Sequence, residues 1–337
     1  MKQSLFALAL LGLLAWGLWR APSPPPGIEH HEIFALGTLI QVSIADPAPP
    51  GLIARVTQAL QDFEQQWSVN TTGELASLNL ALAAQPAAPL PQRLREGFSQ
   101  ARRACRTSGG RFDPGIGALV ALWGFDDESR FRDAPPQPDQ IDALLHQGRS
   151  LCEATLNDQI RLPGPGAQFN FGASAKGRAV ELIIALLRSE GIDNAIVNAG
   201  GDLKALGRRQ DRPWRIGIRH PRPEQAGKEV LASLSLADGE ALFSSGDYER
   251  YFEFEGRRYH HILDPRSGAP AMRSQSATVL HHDAEWADAA VTALFVAGPS
   301  DAQQVMQAMG IEHYLLVDAD GRLHISPAMQ ERLDPGA

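Results

Sequence analysis

Two residues of the stretch "EWADAAVTALFVAG" can do chemistry that their neighbours cannot. Asp288 and Thr292 stand four apart, so on a helix both project from one face, among Ala, Val, Leu and Phe of core type. An acid and a hydroxyl on an otherwise apolar face suit a hard cation held by oxygen, most simply Mg²⁺ completed by backbone carbonyls, water and a diphosphate. The competing interpretation is local: Asp288 steadies the first turn of its helix, and Thr292 bonds back to a carbonyl.

A second stretch, "NFGASAKGRAVELIIALLRSEG", runs a small-residue turn into a lysine and then an apolar-periodic helix. Gly172, Ala173, Ser174 and Ala175 let the backbone pass close to a ligand. The helix behind them presents unpaired N–H groups to an anion, and Lys176 adds a point charge. The order of a Walker loop is absent, since the lysine precedes Gly177. A tight turn with a solvated lysine is the alternative. Farther on, "AIVNAGGDLKALG" delivers Asn198, Gly200, Gly201 and Asp202 from an apolar strand, either as a loop holding a ribityl chain or phosphate by main-chain N–H groups or as a hairpin turn. In "SSGDYERYFEFEGRRYHHILDPRSGAP", Ser244, Ser245 and Gly246 are candidates for phosphate oxygens. His260 and His261 fall on opposite faces of a strand that leads into a turn at 264–268, so one of them points inward. Together these stretches describe a site for a nucleotide diphosphate and Mg²⁺.

The elements that must position them read as α/β with substantial antiparallel sheet. The 32–45 segment predicts a strand pair or a bulged strand about Gly37, followed by a helix over "GLIARVTQALQDFEQQWS". A second helix covers "PQRLREGFSQARRACRTSGG" and ends at Gly109 and Gly110; a loop over 133–139 precedes another helix opening at Pro138. The second half is strand-rich, interrupted by helices over 176–189, 284–296 and 299–309, and closes on a hairpin with Asp-Gly at its turn. This is a compact mixed fold of antiparallel sheets and packed helices, one globule of two lobes.

Of 337 residues 44% are hydrophobic and 21% charged, which excludes overall disorder. The run "SLFALALLGLLAWGLW" is free of charge behind Lys2, so residues 1–20 read as a signal peptide or an N-terminal membrane anchor. The flank "GLWRAPSPPPG" is a poor cleavage site, which favours an anchor with the bulk of the chain on the periplasmic side of the inner membrane. A Pro-rich linker over 21–30 then leads to a domain over 31–330 and a tail over 331–337. Removing Lys2 and Arg20 takes the formal charge from −8 to −10, and an acidic domain argues against nucleic acid as partner. Cys105 and Cys152 match no metal or redox spacing; in an exported protein they either bridge or stand as two inert thiols.

Read in order, "LGT" (36–38), "GELASLN" (73–79), "FDPGIGALVALWGF" (112–125), "NFGASAKGRAVE", "NAGGDL", "SSGDYERYF", "YHHILDPRSGAP" and "ADAAVTALF" resemble the FAD:protein FMN transferases, the ApbE-like family. The resemblance implies that family's mixed α/β fold. It also implies its reaction: FAD is bound with Mg²⁺, its FMN half moves to a threonine hydroxyl of an acceptor protein, and AMP leaves. By motif, the metal falls to the Ala173 carbonyl and the side chains of Asp288 and Thr292, helped by main chain at Val291. The cofactor-lining set is Leu36, Trp123, Gly124, Phe125, Asn170, Lys176, Asn198, Gly200, Gly201, Asp202, Ser245, Gly246, His261 and Ile262. Lys176 would stabilise developing charge, and the base would be His261, with Asp247 second. The acceptor implied is a subunit of a membrane redox complex. Three positions depart from the family pattern: Leu36 replaces Met, no tyrosine stands near Val69 or Asn70, and Asn170 replaces Asp. An amide cannot act as a base, so a flavin carrier or assembly factor, or an FAD hydrolase, are the alternatives.

Overall fold

Alternation of apolar residues builds a central sheet, and the computed structural model describes it within residues 27–69, 73–127 and 132–334. The expected anchor and most of the linker lie outside these residues, as does Asn70. No helix of the described residues is long and apolar enough to cross a membrane. In chain order the strands are β1 (Glu29–Ala35), β2 (Thr38–Ile44), β3 (Ala87–Pro89), β4 (Thr155–Leu156), β5 (Gln159–Arg161), β6 (Ala195–Ala199), β7 (Asp202–Leu206) and β8 (Trp214–Arg219). They continue with β9 (Val230–Leu236), β10 (Ala241–Gly246), β11 (Tyr251–Phe254), β12 (Arg257–His260), β13 (Ser274–His281), β14 (His313–Asp318) and β15 (Leu323–Ile325). Eight of them form one sheet in the order β1-β2-β6-β7-β10-β13-β14-β15, and its neighbours pair antiparallel throughout.

Both faces of this sheet are covered, and the two-residue period sorts its side chains between two cores. Val197, Phe243, Val279 and Leu316 pack into the larger core, while their neighbours Ile196, Leu242, Leu280 and Leu315 pack into the other. Helices α1 (Leu52–Trp67), α2 (Glu74–Ala84), α3 (Gln92–Thr107), α6 (Ala175–Ser189) and α8 (Ala284–Ala308) cover the first face. The β8–β9 ribbon and the short helix α9 (Pro327–Arg332) cover the second. A third, aromatic cluster joins α4 (Gly117–Leu122), α5 (Pro138–Gln147) and the β11–β12 hairpin; helix α7 (Pro223–Ala226) lies between β8 and β9.

Local chemistry explains the boundaries. The strand pair about Gly37 is a tight hairpin: Ala35 pairs with Thr38, and Leu36 (φ 55) and Gly37 (φ 68) form a two-residue turn with both φ positive. Helix α8 unites the two helices expected over 284–296 and 299–309, with its break at Gly298 (φ 66) before Pro299. Its N-cap is Asp283, whose side chain accepts the Trp286 N–H. Helices α2 and α4 were not anticipated; α2 is apolar on nearly every side, so no clean 3.6-residue stripe marks it. Cys105 and Cys152 are bonded, tying the end of α3 to the short 3₁₀ turn at Leu151–Glu153. Among the described residues neither thiol is free.

Candidate active site

The candidate site is assembled where α6 starts against α8. Gly177 makes this possible, because a Cβ there would collide with the Ala284 carbonyl and sit 2.8 Å from the Glu285 Cα. With no Cβ, its backbone comes close enough for Gly177 N–H to donate to Asp288 Oδ2 at 2.8 Å. In a regular helix that N–H would bond the carbonyl four residues back, which is Ala173. Among the described residues no backbone N–H donates to the Ala173 carbonyl. Asp288 thus caps α6 rather than its own helix, while Thr292 does bond back, Oγ1 to the Asp288 carbonyl at 3.2 Å.

The Asp288 carboxylate therefore reaches the α6 start that Ala173 precedes, with Thr292 one turn farther along the same helix. Burial pushes the Asp288 carboxyl above its ordinary range, and the Asp202 charge adds to this while Lys176 opposes it. An all-oxygen donor set around a buried acid that resists carrying its charge alone fits a hard divalent cation. Val291 contributes differently: it lies mid-helix with its side chain in the core, where backbone carbonyls belong to the helix ladder.

Lys176 joins this centre to the sheet. Its ammonium pairs with Asp202 Oδ2, and Asp202 Oδ1 accepts the Ser244 N–H at 2.9 Å. Burial works against the lysine charge, but Asp202 and then Asp288 outweigh it and hold the ammonium well above the ordinary lysine value. The glycines of "NAGGD" form the β6–β7 hairpin turn, Gly200 (φ 66) and Gly201 (φ 104), braced by Asn198 Oδ1 accepting the Gly201 N–H at 2.7 Å. Asp202, directly after this turn, is what reaches Lys176. The turn also abuts the β1–β2 hairpin, since Gly200 donates to the Leu39 carbonyl at 3.3 Å.

The two histidines take separate parts. His260 ends β12 fully buried, edge-on to Phe295, and burial lowers its pKa to about 4. His261 is half-buried just past the strand, its Nδ1 3.2 Å from the Arg250 carbonyl. A carbonyl only accepts, so Nδ1 carries the proton and Nε2 keeps its lone pair. Burial first, then Arg250, holds this imidazole well below its ordinary pKa, so it is neutral at neutral pH. Asp247 is engaged otherwise: Arg222 grips both its oxygens, at 2.8 and 2.6 Å, which leaves no free carboxylate to act as base.

The remaining expected residues divide by accessibility. The Trp123 and Phe125 rings are each 2% exposed inside the aromatic cluster, and Trp123 Nε1 donates to the Gly268 carbonyl at 2.7 Å. Gly124 between them is buried too, in a left-handed turn (φ 75), so these three expected cofactor residues close the aromatic cluster. Ser245 and Gly246 end β10 opposite Ala277 and Ser276, and Ile262 is buried with its carbonyl bonded to the Ala271 N–H. Asn170 Oδ1 accepts the Gly172 N–H at 2.8 Å, fixing the turn before α6. Leu36 is half-buried, and its N–H reaches Glu64 Oε1 at 2.5 Å. Ser244, a candidate for phosphate oxygens, instead gives its N–H to Asp202 and pairs its hydroxyl with that of Thr278 at 2.9 Å; the Glu64 contact was not anticipated, because Glu64 sits among the polar residues of an ordinary amphipathic helix. A separate surface groove of about 780 Å³, lined by Trp67, Glu96, Arg178, Glu181 and Glu285 among others, contains none of the expected cofactor residues.

Known proteins align with this arrangement. Residues 36–315 match the sequence profile described as the ApbE family. An FAD:protein FMN transferase of Rhodobacter capsulatus is 35% identical over 336 residues, covering 97% of this chain; the chain spans only 62% of that relative's length. Its counterpart from Treponema pallidum is 30% identical over 322 residues, covering 88% of this chain and 86% of the relative. The crystal structure of the ApbE protein of Thermotoga maritima superposes with a TM-score of 0.81 at 28% identity, over 91% of this chain and 99% of that one. A profile match that takes in the Leu36 turn, the Lys176 helix start and the Asp288 face, on a shared fold, settles the kinship: the chain belongs to the ApbE family.

Proposed function

We infer that this chain is an FAD:protein FMN transferase, moving the FMN moiety of FAD onto an acceptor protein. Relatives of that name align along nearly the whole chain. The observation in the molecule that carries the reading is the Gly177–Asp288 bond, which brings a buried carboxylate to the start of α6 in place of the Ala173 carbonyl; Thr292, one turn along α8, bonds the Asp288 carbonyl. We propose that these three groups hold Mg²⁺, which when bound would neutralise diphosphate charge.

The chain's own residues account for the rest of the reaction. Lys176, fixed by Asp202, supplies a permanent positive charge at the start of α6, where it would favour phosphate oxygens. The acceptor is a threonine, whose hydroxyl oxygen attacks the FMN phosphorus as the bond to AMP breaks. His261 Nε2 takes the hydroxyl proton, and the Nδ1–H bond to the Arg250 carbonyl fixes its tautomer and ring plane. Asn170 organises the turn through Gly172 and does not act as a base.

We also propose that the enzyme is held at the inner membrane through residues 1–20, facing the periplasm, and serves a subunit of a membrane redox complex. The apolar run behind Lys2 and the Pro-rich spacer support this, and the Cys105–Cys152 bridge suits an oxidising compartment. The test is transfer itself: with FAD and Mg²⁺ the wild-type chain labels a threonine-bearing acceptor, whereas Asp288→Ala does not. Undiminished Mg²⁺-dependent transfer by Asp288→Ala would remove the metal assignment.

A further inference from the structure

The bond from Gly177 to Asp288 has a counterpart one turn along both helices. Glu181, four residues after Gly177 on the same face of α6, accepts the Ala284 N–H on Oε1 at 2.6 Å. Ala284 opens α8, and its N–H is one of those a helix start leaves without an intrahelical partner. Two backbone-to-carboxylate bonds therefore join α6 and α8, four residues apart on either helix. One such bond lets a helix pivot; two, about 6 Å apart, fix both approach and register. Arg178 and Glu285 also pair, at 2.8 Å, but through the ends of long side chains that can follow a shift. Glu181 is itself held. Lys204, its side chain 6% exposed, donates to the same Oε1 and to the His282 carbonyl, each at 2.6 Å, so β7 grips both the glutamate and the chain entering α8. Strand β7 thus meets α6 through two ion pairs of opposite order, Asp202 with Lys176 and Lys204 with Glu181. Their spacings match, five residues of helix at about 7.5 Å and two of strand at about 6.7 Å, and a slip of α6 along β7 would set like charges together.

We propose that Glu181 is a positioning residue for the metal face: held by Lys204, its carboxylate clamps the Ala284 N–H and keeps α8 where Asp288 reaches the start of α6. This role rests on the transferase reading and on Mg²⁺ at that face. Glu181 and Lys204 line the surface groove, which contains none of the expected cofactor residues, so their route to the site runs through the helices. Without the clamp α8 pivots about the Gly177 bond, and the arrangement that suits the metal is populated only part of the time. Added Mg²⁺ draws the chain back into it, so the loss falls on Mg²⁺ affinity and not on the rate at saturation.

The test compares the full wild-type chain with two matched forms. Glu181→Gln/Lys204→Met keeps an oxygen for the Ala284 N–H, Glu181→Leu/Lys204→Met removes it, and neither buries an unpaired charge. Glu181→Ala is read in place of the leucine form should that one not fold. Well below melting, amide hydrogen exchange at Gly177 is read in the metal-free chain, and the transfer assay gives the Mg²⁺ concentration for half-maximal rate and the maximal rate. Loss of one charge-assisted hydrogen bond predicts, in the leucine form, Gly177 exchange and Mg²⁺ requirement each raised on the order of tenfold, with the maximal rate within about threefold of wild type. The glutamine form stays within about threefold in both readings. Cys105→Ser/Cys152→Ser, destabilised away from α6, should match wild type in both. Equal readings in the glutamine and leucine forms, or a tenfold effect in the serine control, would overturn the clamp. A wild-type chain that transfers no FMN would instead overturn the transferase reading, and the exchange measurement would still decide the clamp.

Discussion

Replacing Gly177 by alanine should unfasten the site from the outside of its own helix. The added methyl would lie 2.7 Å from the Ala284 carbonyl carbon and 2.8 Å from the Glu285 Cα. Carbon atoms rest at about 3.5–4.0 Å, so α6 must retreat from α8 by roughly 1 Å. Both obstacles are backbone, and neither can rotate aside. Such a retreat takes the 2.8 Å bond between Gly177 N–H and Asp288 Oδ2 out of range. Overpacking costs about 1–3 kcal/mol, and a lost bond to a charged group about 1.5–3. The better helix propensity of alanine returns about 1 kcal/mol, so the net loss is about 3 kcal/mol. A domain of about 300 residues should melt roughly 4–6 °C lower. Because Gly177 N–H then becomes free to seek the Ala173 carbonyl, the Mg²⁺ concentration for half-maximal transfer should also rise. Melting curves and a Mg²⁺ titration of FMN transfer on the same protein read both effects. An unshifted melting temperature with an unshifted Mg²⁺ dependence would refute the claim that the close approach at Gly177 creates the metal-facing carbonyl.

Other outcomes follow from buried groups. His260 titrates near 6.5 when unfolded and at about 4 when folded, so only the unfolded chain binds its proton in between. Its contribution to stability, about 3 kcal/mol, is whole above pH 6.5 and is lost as pH falls to 4; His260→Gln should flatten that part of a pH series of denaturant melts. A wild-type slope that survives the substitution would assign the acid sensitivity elsewhere. Cys105 and Cys152 close a loop of 47 residues, and mutating both to serine should cost about 4 kcal/mol in guanidinium unfolding. A loss below about 1 kcal/mol would mean that the bridge ties segments already fixed by packing. Asn170→Asp keeps an oxygen for the Gly172 N–H, so the fold should melt unchanged while transfer increases. Unchanged or lower transfer would show that the amide is itself the functional group.

Much of the fold was legible because central strands sort their side chains by a two-residue period and helices such as α1 and α3 carry an apolar stripe. Pairing order was not, since β10 lies between β7 and β13 through contacts far apart in sequence. At the site, the Asp288 and Thr292 spacing was readable as one helix face. What Asp288 does there was not, because its partner is the backbone of another helix. The glycines of "NAGGD" looked like a ligand loop or a turn with equal reason; they form a turn, and the acid after them meets Lys176. Trp123 and Phe125 carried a motif match, yet their rings close a cluster with Phe252 and Leu263. Sequence order says which residues recur together, whereas packing decides which of their atoms remain accessible.

In the proposed reaction a protein hydroxyl, and not water, receives the flavin phosphate. This is tested most directly by incubating the full chain with FAD, Mg²⁺ and a threonine-bearing acceptor, then measuring the intact mass of the acceptor beside the AMP formed. One FMN unit should appear on the acceptor for each AMP released, and neither when the acceptor threonine is replaced by alanine. AMP accumulating without any gain in acceptor mass would contradict it.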